Sequence, residues 1–347
     1  VQFHLIKVEG TKRISSTYDL ARDDMASEFL ISTAQKIKDM RIRGASKIAR
    51  AAAEAMAEEA RAIDVESATG FLEQMRSAEQ HLLSTRPTAV SLPNALAYVM
   101  APLEVAAASG RGLEELRAIV VERAMEFVEK AQSATEKLGK IGAGLLGQGA
   151  AIMTHCHSMA VVSIVREATR EGKGITAYVK ETRPRYQGLI TARMLADLGA
   201  EVVLIVDSAA SNYMDRVDAV LIGADAIALD GSVVNKIGTH MTALAAFERH
   251  KPVLVAAETY KIALKSKTSS AIPIELRDPL EIVTDEFLKG NPSIRVLNPS
   301  FDAADPSTIS KIITEVGILE PPFTSSIERV ISMLGYDALR GLESRSS

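Results

Sequence analysis

The sequence predicts an α/β protein in two parts. A helical amino-terminal domain covers residues 1–140, and a carboxyl-terminal domain covers residues 141–347 around a mainly parallel sheet. Two observations carry this prediction. From roughly residue 20 to 140, apolar side chains recur every three or four positions in segments rich in Ala, Glu, Lys and Arg, the pattern of amphipathic helices. After about residue 148 the period changes, and short apolar runs alternate with helical segments. Such alternation implies crossover connections and a parallel sheet covered on both faces.

The helical half opens with ASEFLISTAQKIKDMRIRGASKIARAAAEAMAEEARA, in which Gly44 is placed to break the helix and expose backbone N–H groups. TGFLEQMRSAEQHLLSTRP, LPNALAYVMAPLEVAAAS and LEELRAIVVERAMEFVEKAQSATEKLGKIG continue the pattern, with breaks expected at Pro87, Pro93 and Gly110. In the second half AAIMT, GITAYVK, EVVLIVD, DAVLIGA and PVLVAAE read as strands. SMAVVSIVREATREG, QGLITARMLADLG and KIGTHMTALAAFERH read as helices between them. GAGLLG, from Gly142 to Gly147, has the spacing of a dinucleotide-binding loop, but that fingerprint follows a strand and opens a helix. Here it follows a helix and precedes the first strand. Its glycines are expected to end a helix and connect the domains, and no nicotinamide cofactor is expected.

Composition narrows the function classes. Hydrophobic residues make up 47% and charged residues 24% of 347, an ordinary soluble balance. A net charge of −4 argues against a nucleic-acid binder that relies on an overall basic surface, while leaving room for a local basic pocket. A single cysteine cannot form an internal disulfide. No apolar run approaches the roughly 20 residues of a membrane span, and VQFHLIKVEGTKR has too short an apolar stretch for a signal peptide. The expected class is a cytoplasmic enzyme or complex subunit, with neither a nucleic-acid nor a membrane partner.

In parallel α/β sheets ligands gather at the carboxyl ends of the strands. The first run delivers Thr154, His155, Cys156, His157 and Ser158 to such an end, just before a helix. Cys156 admits three readings: a metal ligand, a small buried filler, or a reactive thiol. Adjacent residues aim poorly at one ion, and no CxxC or HxxxH partner accompanies them. Most lone cysteines are filler, yet a helix amino terminus can lower a thiol pKa, and the position favours the reactive reading. In KETRPRYQG, Pro184 ends a strand and Gln187 opens a helix, while Glu181 and Arg183 either pair with each other or face a ligand.

DAVLIGADAIALDGSVVNKIGTH brings Asp225 to the end of another buried strand, where a carboxylate is costly unless paired or protonated. Asp230-Gly231 resembles a tight turn returning the chain to Asn235 and Lys236 at the next helix start. An amide, an ammonium and backbone N–H groups there suit a phosphate; an ordinary cap beside a solvated lysine is the alternative. Arg43, Gly44, Ala45, Arg86 and Lys261 add further cationic or N–H groups, a set that together suits a ligand with two anionic ends.

RGA, THCHS, ETRPRYQG, GAD and NKIGT, in this order and spacing, resemble the superfamily of initiation factor 2B α, β and δ subunits and sugar-1-phosphate isomerases. The resemblance spans roughly residues 25–330, and within the superfamily the ribose-1,5-bisphosphate isomerases are most similar. It implies a Rossmann-like carboxyl-terminal domain and a homo-oligomer built from dimers, a hexamer being one form. It also implies conversion of ribose 1,5-bisphosphate to ribulose 1,5-bisphosphate in nucleoside monophosphate breakdown, with no cofactor and no metal. On this basis Cys156 is the catalytic base and Asp225 the acid, working through an enol phosphate. Substrate contacts fall on Arg43, Gly44, Ala45, Arg86, Ser158, Asn235, Lys236 and Lys261, with looser flanking motifs at Arg86 and Lys261. Methylthioribose-1-phosphate isomerases share the Cys and Asp, but typically carry THCNTG and GADRI where this chain has THCHSM and GADAI. Noncatalytic regulatory subunits generally lack the cysteine.

Overall fold

The computed structural model describes residues 26–42, 44–86 and 90–336, together with the backbone of β1 (Leu5–Ile6). The chain divides into two compact units, and the division falls inside one long helix, between Ser133 and Ala134.

The helical unit holds α1 (Glu28–Lys38), α2 (Ala45–Ala62), α3 (Ala68–Thr85), α4 (Ser91–Ala108) and the first part of α5 (Leu113–Ala143). Their apolar stripes meet in a core that includes Leu30, Ile37, Met56, Phe71, Leu96 and Val120. Local chemistry sets the helix ends. The Ser27 hydroxyl accepts the Leu30 N–H at 3.2 Å, and Ser67 does the same for Gly70 at 3.1 Å. Gly44, at φ 90°, supplies the break before α2 through a conformation that side chains other than glycine rarely adopt.

Pro93 was expected to interrupt the helices, but α4 begins at Ser91 and carries Pro93 in its first turn. There an N–H has no intrahelical acceptor, so proline costs nothing. Pro87 lies outside the described residues. Tyr260–Leu264 joins this unit from the far half of the sequence. The Asn94 side-chain amide donates to the carbonyls of Tyr260 and Ile262, each at 2.8 Å, and the Tyr260 ring lies 5.6 Å from that of Phe127.

The second unit, Ala134–Thr259 with Lys265–Val330, is built on a seven-stranded sheet. All five expected runs are strands in it: β2 (Ala151–Thr154), β3 (Thr176–Lys180), β4 (Glu201–Ile205), β5 (Ala219–Gly223) and β8 (Val253–Ala256). The order is β12-β11-β8-β5-β2-β3-β4, parallel throughout except at β11 (Lys311–Thr314) and β12 (Gly317–Leu319), whose hairpin closes one edge. Helices α6 (Met159–Arg170) and α7 (Gln187–Asp197) follow β2 and β3, a short α8 (Ala210–Tyr213) follows β4, and α9 (Thr239–Glu248) precedes β8. Ile152, Val161, Val165, Val179, Leu221 and Ile313 share one core between sheet and helices.

A second, antiparallel sheet was not anticipated. It joins β6 (Ala226–Ile227), β7 (Val233–Lys236) and β10 (Phe301–Ala304). The Asp230 carboxylate accepts the Ser232 N–H at 2.8 Å and its hydroxyl at 2.6 Å, which pins the turn between β6 and β7. Asn235 and Lys236 therefore belong to a buried strand and not to a helix start. The remaining short strand, β9 (Ile274–Glu275), pairs in parallel with β1.

GAGLLG ends α5, as its context implied. A Cβ on Gly142 would lie 2.4 Å from Ile164 Cδ1, so this glycine serves close helix packing. Gly188 is more constrained still. A Cβ there would fall 1.8 Å from the Lys180 carbonyl oxygen, at the turn from β3 into α7. Since a backbone atom cannot rotate away, Gly188→Ala should destabilise the protein by about 2–4 kcal/mol in urea unfolding. A loss under about 0.5 kcal/mol would mean that the turn is looser than described.

Candidate active site

Strands β2 and β5 are neighbours at the centre of the sheet and run parallel, so their carboxyl ends open on the same edge. Cys156 follows the end of β2 at Thr154, and Asp225 follows the end of β5 at Gly223. The two loops touch. A Cβ on Gly223 would lie 2.5 Å from the Ser158 hydroxyl oxygen and 2.7 Å from its Cβ, so only glycine allows this approach. Ser158 in turn caps α6, its oxygen accepting the Val161 N–H at 3.4 Å. The THCHS and GAD motifs thus meet through one serine and one missing side chain.

Cys156 adopts the left-handed region, at φ 64°. Its N–H donates to Thr182 Oγ1 at 2.9 Å, and its carbonyl accepts the Thr191 hydroxyl at 2.9 Å. Thr182 shares that conformation, at φ 64°. Non-glycine residues held there cost roughly 1–3 kcal/mol each and persist where surrounding bonds enforce them. For Thr182 the bonds come from Asp207, whose carboxylate accepts the N–H groups of Thr182 and Arg183 at 2.9 and 2.6 Å.

The sequence led us to expect a thiol made acidic by the helix that follows it. The structure gives the opposite: burial pushes the Cys156 thiol up to about 11, and the Asp225 carboxylate adds to the rise. The cations of Lys236 and Arg277 and the His157 backbone pull it down without overcoming burial. The geometry explains the difference. Helix α6 starts at Met159 with Ser158 as its cap, leaving Cys156 outside the first turn, where a helix terminus acts most strongly.

Lys236 is buried, donates to the Ser300 carbonyl at 3.1 Å and lies 4.7 Å from the Phe301 ring centroid. Burial lowers its pKa, while the negative charges of Cys156 and Asp225 raise it. Asn235 is buried beside it, its amide donating to Thr239 Oγ1 at 3.0 Å. The backbone N–H groups expected to help them bind phosphate are already engaged. Those of Gly238, Thr239 and His240 donate to the Asp302 carboxylate at 2.7, 3.1 and 3.2 Å.

Arg277 escaped the sequence reading. Its side chain is 8% exposed, within 4.0 Å of Glu281 and 3.8 Å of Glu275, and its charge acts on both Cys156 and Lys236. It lies where short turns replace regular elements, and no motif marks it. Arg185, inside ETRPRYQG, pairs with the same Glu281 at 2.8 Å.

The histidines beside Cys156 face different partners. His155 is buried, with Nε2 at 2.8 Å from the Ile237 carbonyl and Nδ1 at 3.4 Å from Thr182 Oγ1. Burial first, then the Lys180 charge, drive its pKa down to about 3, so the ring is neutral. His157 Nδ1 meets Thr191 Oγ1 at 3.1 Å. Among the described residues no group of three or more His, Cys, Asp or Glu is placed to hold a metal ion, and no helix is long and apolar enough to cross a membrane.

The structure therefore gathers Cys156, Ser158, Asp225, Asn235 and Lys236 in the α/β unit. Gly44 and Ala45 form the start of α2, Arg86 ends α3, and Lys261 is buried in the turn Thr259–Lys261; all four belong to the helical unit. Arg43 lies outside the described residues.

With this geometry in view, comparison with known proteins is decisive on one point. Residues 41–321 match the initiation factor 2 subunit family. The chain belongs to that family. Ribose 1,5-bisphosphate isomerase from Thermococcus kodakarensis is 46% identical over 296 residues, 84% of this chain and 91% of that protein. Methylthioribose-1-phosphate isomerase 1 from Pseudothermotoga lettingae is 37% identical over 309 residues, 86% of this chain and 88% of that protein. Among solved structures of the family, a Pyrococcus horikoshii translation initiation factor eIF-2B superposes with a TM-score of 0.73 at 30% identity, covering 85% of this chain and 98% of that one.

Because Cys156 is the sole cysteine, iodoacetamide labelling reads its ionisation directly. With a thiol near 11, only about one molecule in ten thousand carries the thiolate at pH 7, and the labelling rate should rise about tenfold per pH unit from 7 to 10. Lys236→Met removes a cation that draws the thiol down, so that variant should label more slowly at every pH. A rate that levels off near pH 8.5 would show a thiol that burial does not perturb.

Proposed function

We propose that this chain is a ribose-1,5-bisphosphate isomerase. It is an intramolecular aldose–ketose isomerase acting on a sugar phosphate, with Cys156 and Asp225 as its proton-transfer pair. The observation that carries this reading is the meeting of the β2 and β5 ends, where a thiol, a carboxylate and the buried Lys236 share one electrostatic field. Higher identity to ribose 1,5-bisphosphate isomerases, 46%, than to methylthioribose-1-phosphate isomerases, 37%, supports the bisphosphate as substrate.

A sugar phosphorylated on carbon 1 cannot open by reversal of a hemiacetal. In the proposed reaction the base takes the proton from carbon 2, and the C–H electron pair forms a double bond to carbon 1. The ring oxygen leaves carbon 1 and takes a proton from the acid. The enol phosphate then loses its O2 proton and gains one at carbon 1, giving the 2-ketone. We assign Cys156 as the base and Asp225 as the acid. Burial raises the thiol, so at neutral pH the proton resides on sulfur. Its transfer to the neighbouring carboxylate generates both catalytic forms at once, the thiolate base and the carboxylic acid. Lys236 and Arg277 favour that transfer because both stabilise the thiolate.

Phosphate recognition is assigned to Lys236 and Asn235, together with Arg43, Gly44, Ala45, Arg86, Ser158 and Lys261. The start of α2 supports this: Gly44 caps it without a side chain, and its first turn carries no acidic residue. An anion is favoured at such a terminus. The reading also includes a homo-oligomer. Met241, Leu244 and Phe247, spaced along α9, stay 47%, 45% and 57% exposed, and a second copy of the chain would cover them. Sedimentation at micromolar concentration checks this, and a monomer would remove that part of the reading.

Turnover of ribose 1,5-bisphosphate, followed by phosphorus NMR, tests the activity. Cys156→Ser and Asp225→Asn should each lower kcat by at least about a hundredfold, since each removes one proton-transfer partner. With both substrates in one tube, ribose 1,5-bisphosphate should be preferred over methylthioribose 1-phosphate by at least about a hundredfold in kcat/KM, because buried donors built for phosphate would be left unpaired. Faster turnover of the methylthio sugar would reassign the substrate and leave the pair in place. Wild-type rates in Cys156→Ser would remove the thiol from the mechanism.

A further inference from the structure

Beneath the Cys156 loop lies a polar network that takes no part in the proposed chemistry. We infer that Thr182, fixed in place by Asp207, is a positioning residue that sets the orientation of the Cys156 thiol. The inference rests on the reading of Cys156 as a proton-transfer group, and it concerns residues to which no role has been given above.

Hydrogen-bond accounting defines what the Thr182 hydroxyl does. The Ile237 carbonyl can only accept, so His155 Nε2, 2.8 Å away, carries the ring proton. The ring is neutral, which leaves His155 Nδ1 as an acceptor facing Thr182 Oγ1 at 3.4 Å. The Lys180 carbonyl, also an acceptor, lies 3.1 Å from the same hydroxyl. The one hydroxyl proton is thus committed to these two acceptors, and a lone pair of the oxygen is directed to the Cys156 N–H at 2.9 Å. The hydroxyl is held in a single sense by the Lys180 carbonyl of β3 and by His155 and Cys156 of the β2 loop, His155 itself being oriented by the Ile237 carbonyl.

Asp207 supplies the remaining constraint. Its two carboxylate oxygens take the N–H groups of Thr182 and Arg183, holding a β-branched residue at φ 64°, where such residues are rare. Thr191 closes the arrangement by donating to the Cys156 carbonyl. Cys156 itself stands at φ 64°, so both of its backbone polar groups are clamped in a conformation it would otherwise leave. Relaxation to an extended backbone would swing Sγ away from the Lys236, Arg277 and Asp225 charges that now act on it. The β3 and β4 ends thereby hold the thiol of the loop that follows β2.

Thr182→Val keeps the shape and removes the hydroxyl, whereas Thr182→Ser keeps the hydroxyl. In the full chain, Thr182→Val should lower kcat on ribose 1,5-bisphosphate by at least about tenfold with KM within about twofold, as misplacement of a reacting group does. Its iodoacetamide labelling rate at Cys156 should differ from wild type by at least about threefold at pH 8.5, because the thiol meets different charges. Thr182→Ser should restore both. Asp207→Asn should show the same kcat loss and labelling change, and it carries the test where Thr182→Val is not recovered folded. Unchanged labelling and kcat in either folded variant overturn the inference. So does Thr182→Ser behaving like Thr182→Val, which would assign the effect to packing. Labelling altered in Thr182→Val while Cys156→Ser remains fully active would keep the positioning role and remove the catalytic one.

Discussion

A side chain at position 223 would collide with Ser158, and the close approach that glycine permits there is what the site depends on. A parallel sheet sends its strand ends to one edge but does not bring their loops into contact. Contact here requires that β5 end in a residue without a side chain and that the β2 loop place a small capping serine against it. Once the two loops touch, the Asp225 carboxylate lies close enough to raise the Cys156 thiol.

Burial sets the sign of that field. Desolvation penalises every charge at the site, raising the thiol of Cys156 and lowering the ammonium of Lys236. Each group also lessens the other's penalty when both are charged: Lys236 draws the thiol down, and a Cys156 thiolate draws the ammonium up. The site therefore resists creating one charge alone and tolerates creating a pair. A neutral thiol at rest is then no obstacle to base catalysis. It keeps an alkylatable sulfur protonated at neutral pH.

The sequence was most legible where one physical rule acted alone. Strands of a covered parallel sheet read as continuous apolar runs, and all five such runs are strands of the large sheet, including β4 at its partly exposed edge. Elsewhere, competing rules hid the outcome. The antiparallel sheet was missed because VVNK resembles a cap before KIGTH, whereas the Asp230 turn makes it the returning strand of a hairpin. Pro93 looked like a break because proline's cost depends on its turn, which spacing alone does not give. The motif THCHS located Cys156 at a strand end, but its pKa depends on how deeply folding buries it and on Arg277, 121 residues further along a stretch without periodicity. Motifs fix neighbours in sequence; desolvation comes from neighbours in space.

The same distinction separates the two helix starts that the sequence offered for anions. Both NKIGT and RGA precede helices and both expose glycine-linked N–H groups in the one-dimensional pattern. In the fold they differ by one carboxylate. Asp302, on β10, occupies the first N–H groups of α9, and burial raises its pKa against the pull of those bonds. That terminus is satisfied from within, which fixes β10 beside β7 and holds Lys236 in its buried strand. The start of α2 has neither a capping side chain nor an acid in its first turn. A helix terminus attracts an anion only to the extent that the protein has not already supplied one. Of the two, the terminus of α9 is filled by Asp302, and that of α2 carries no such carboxylate.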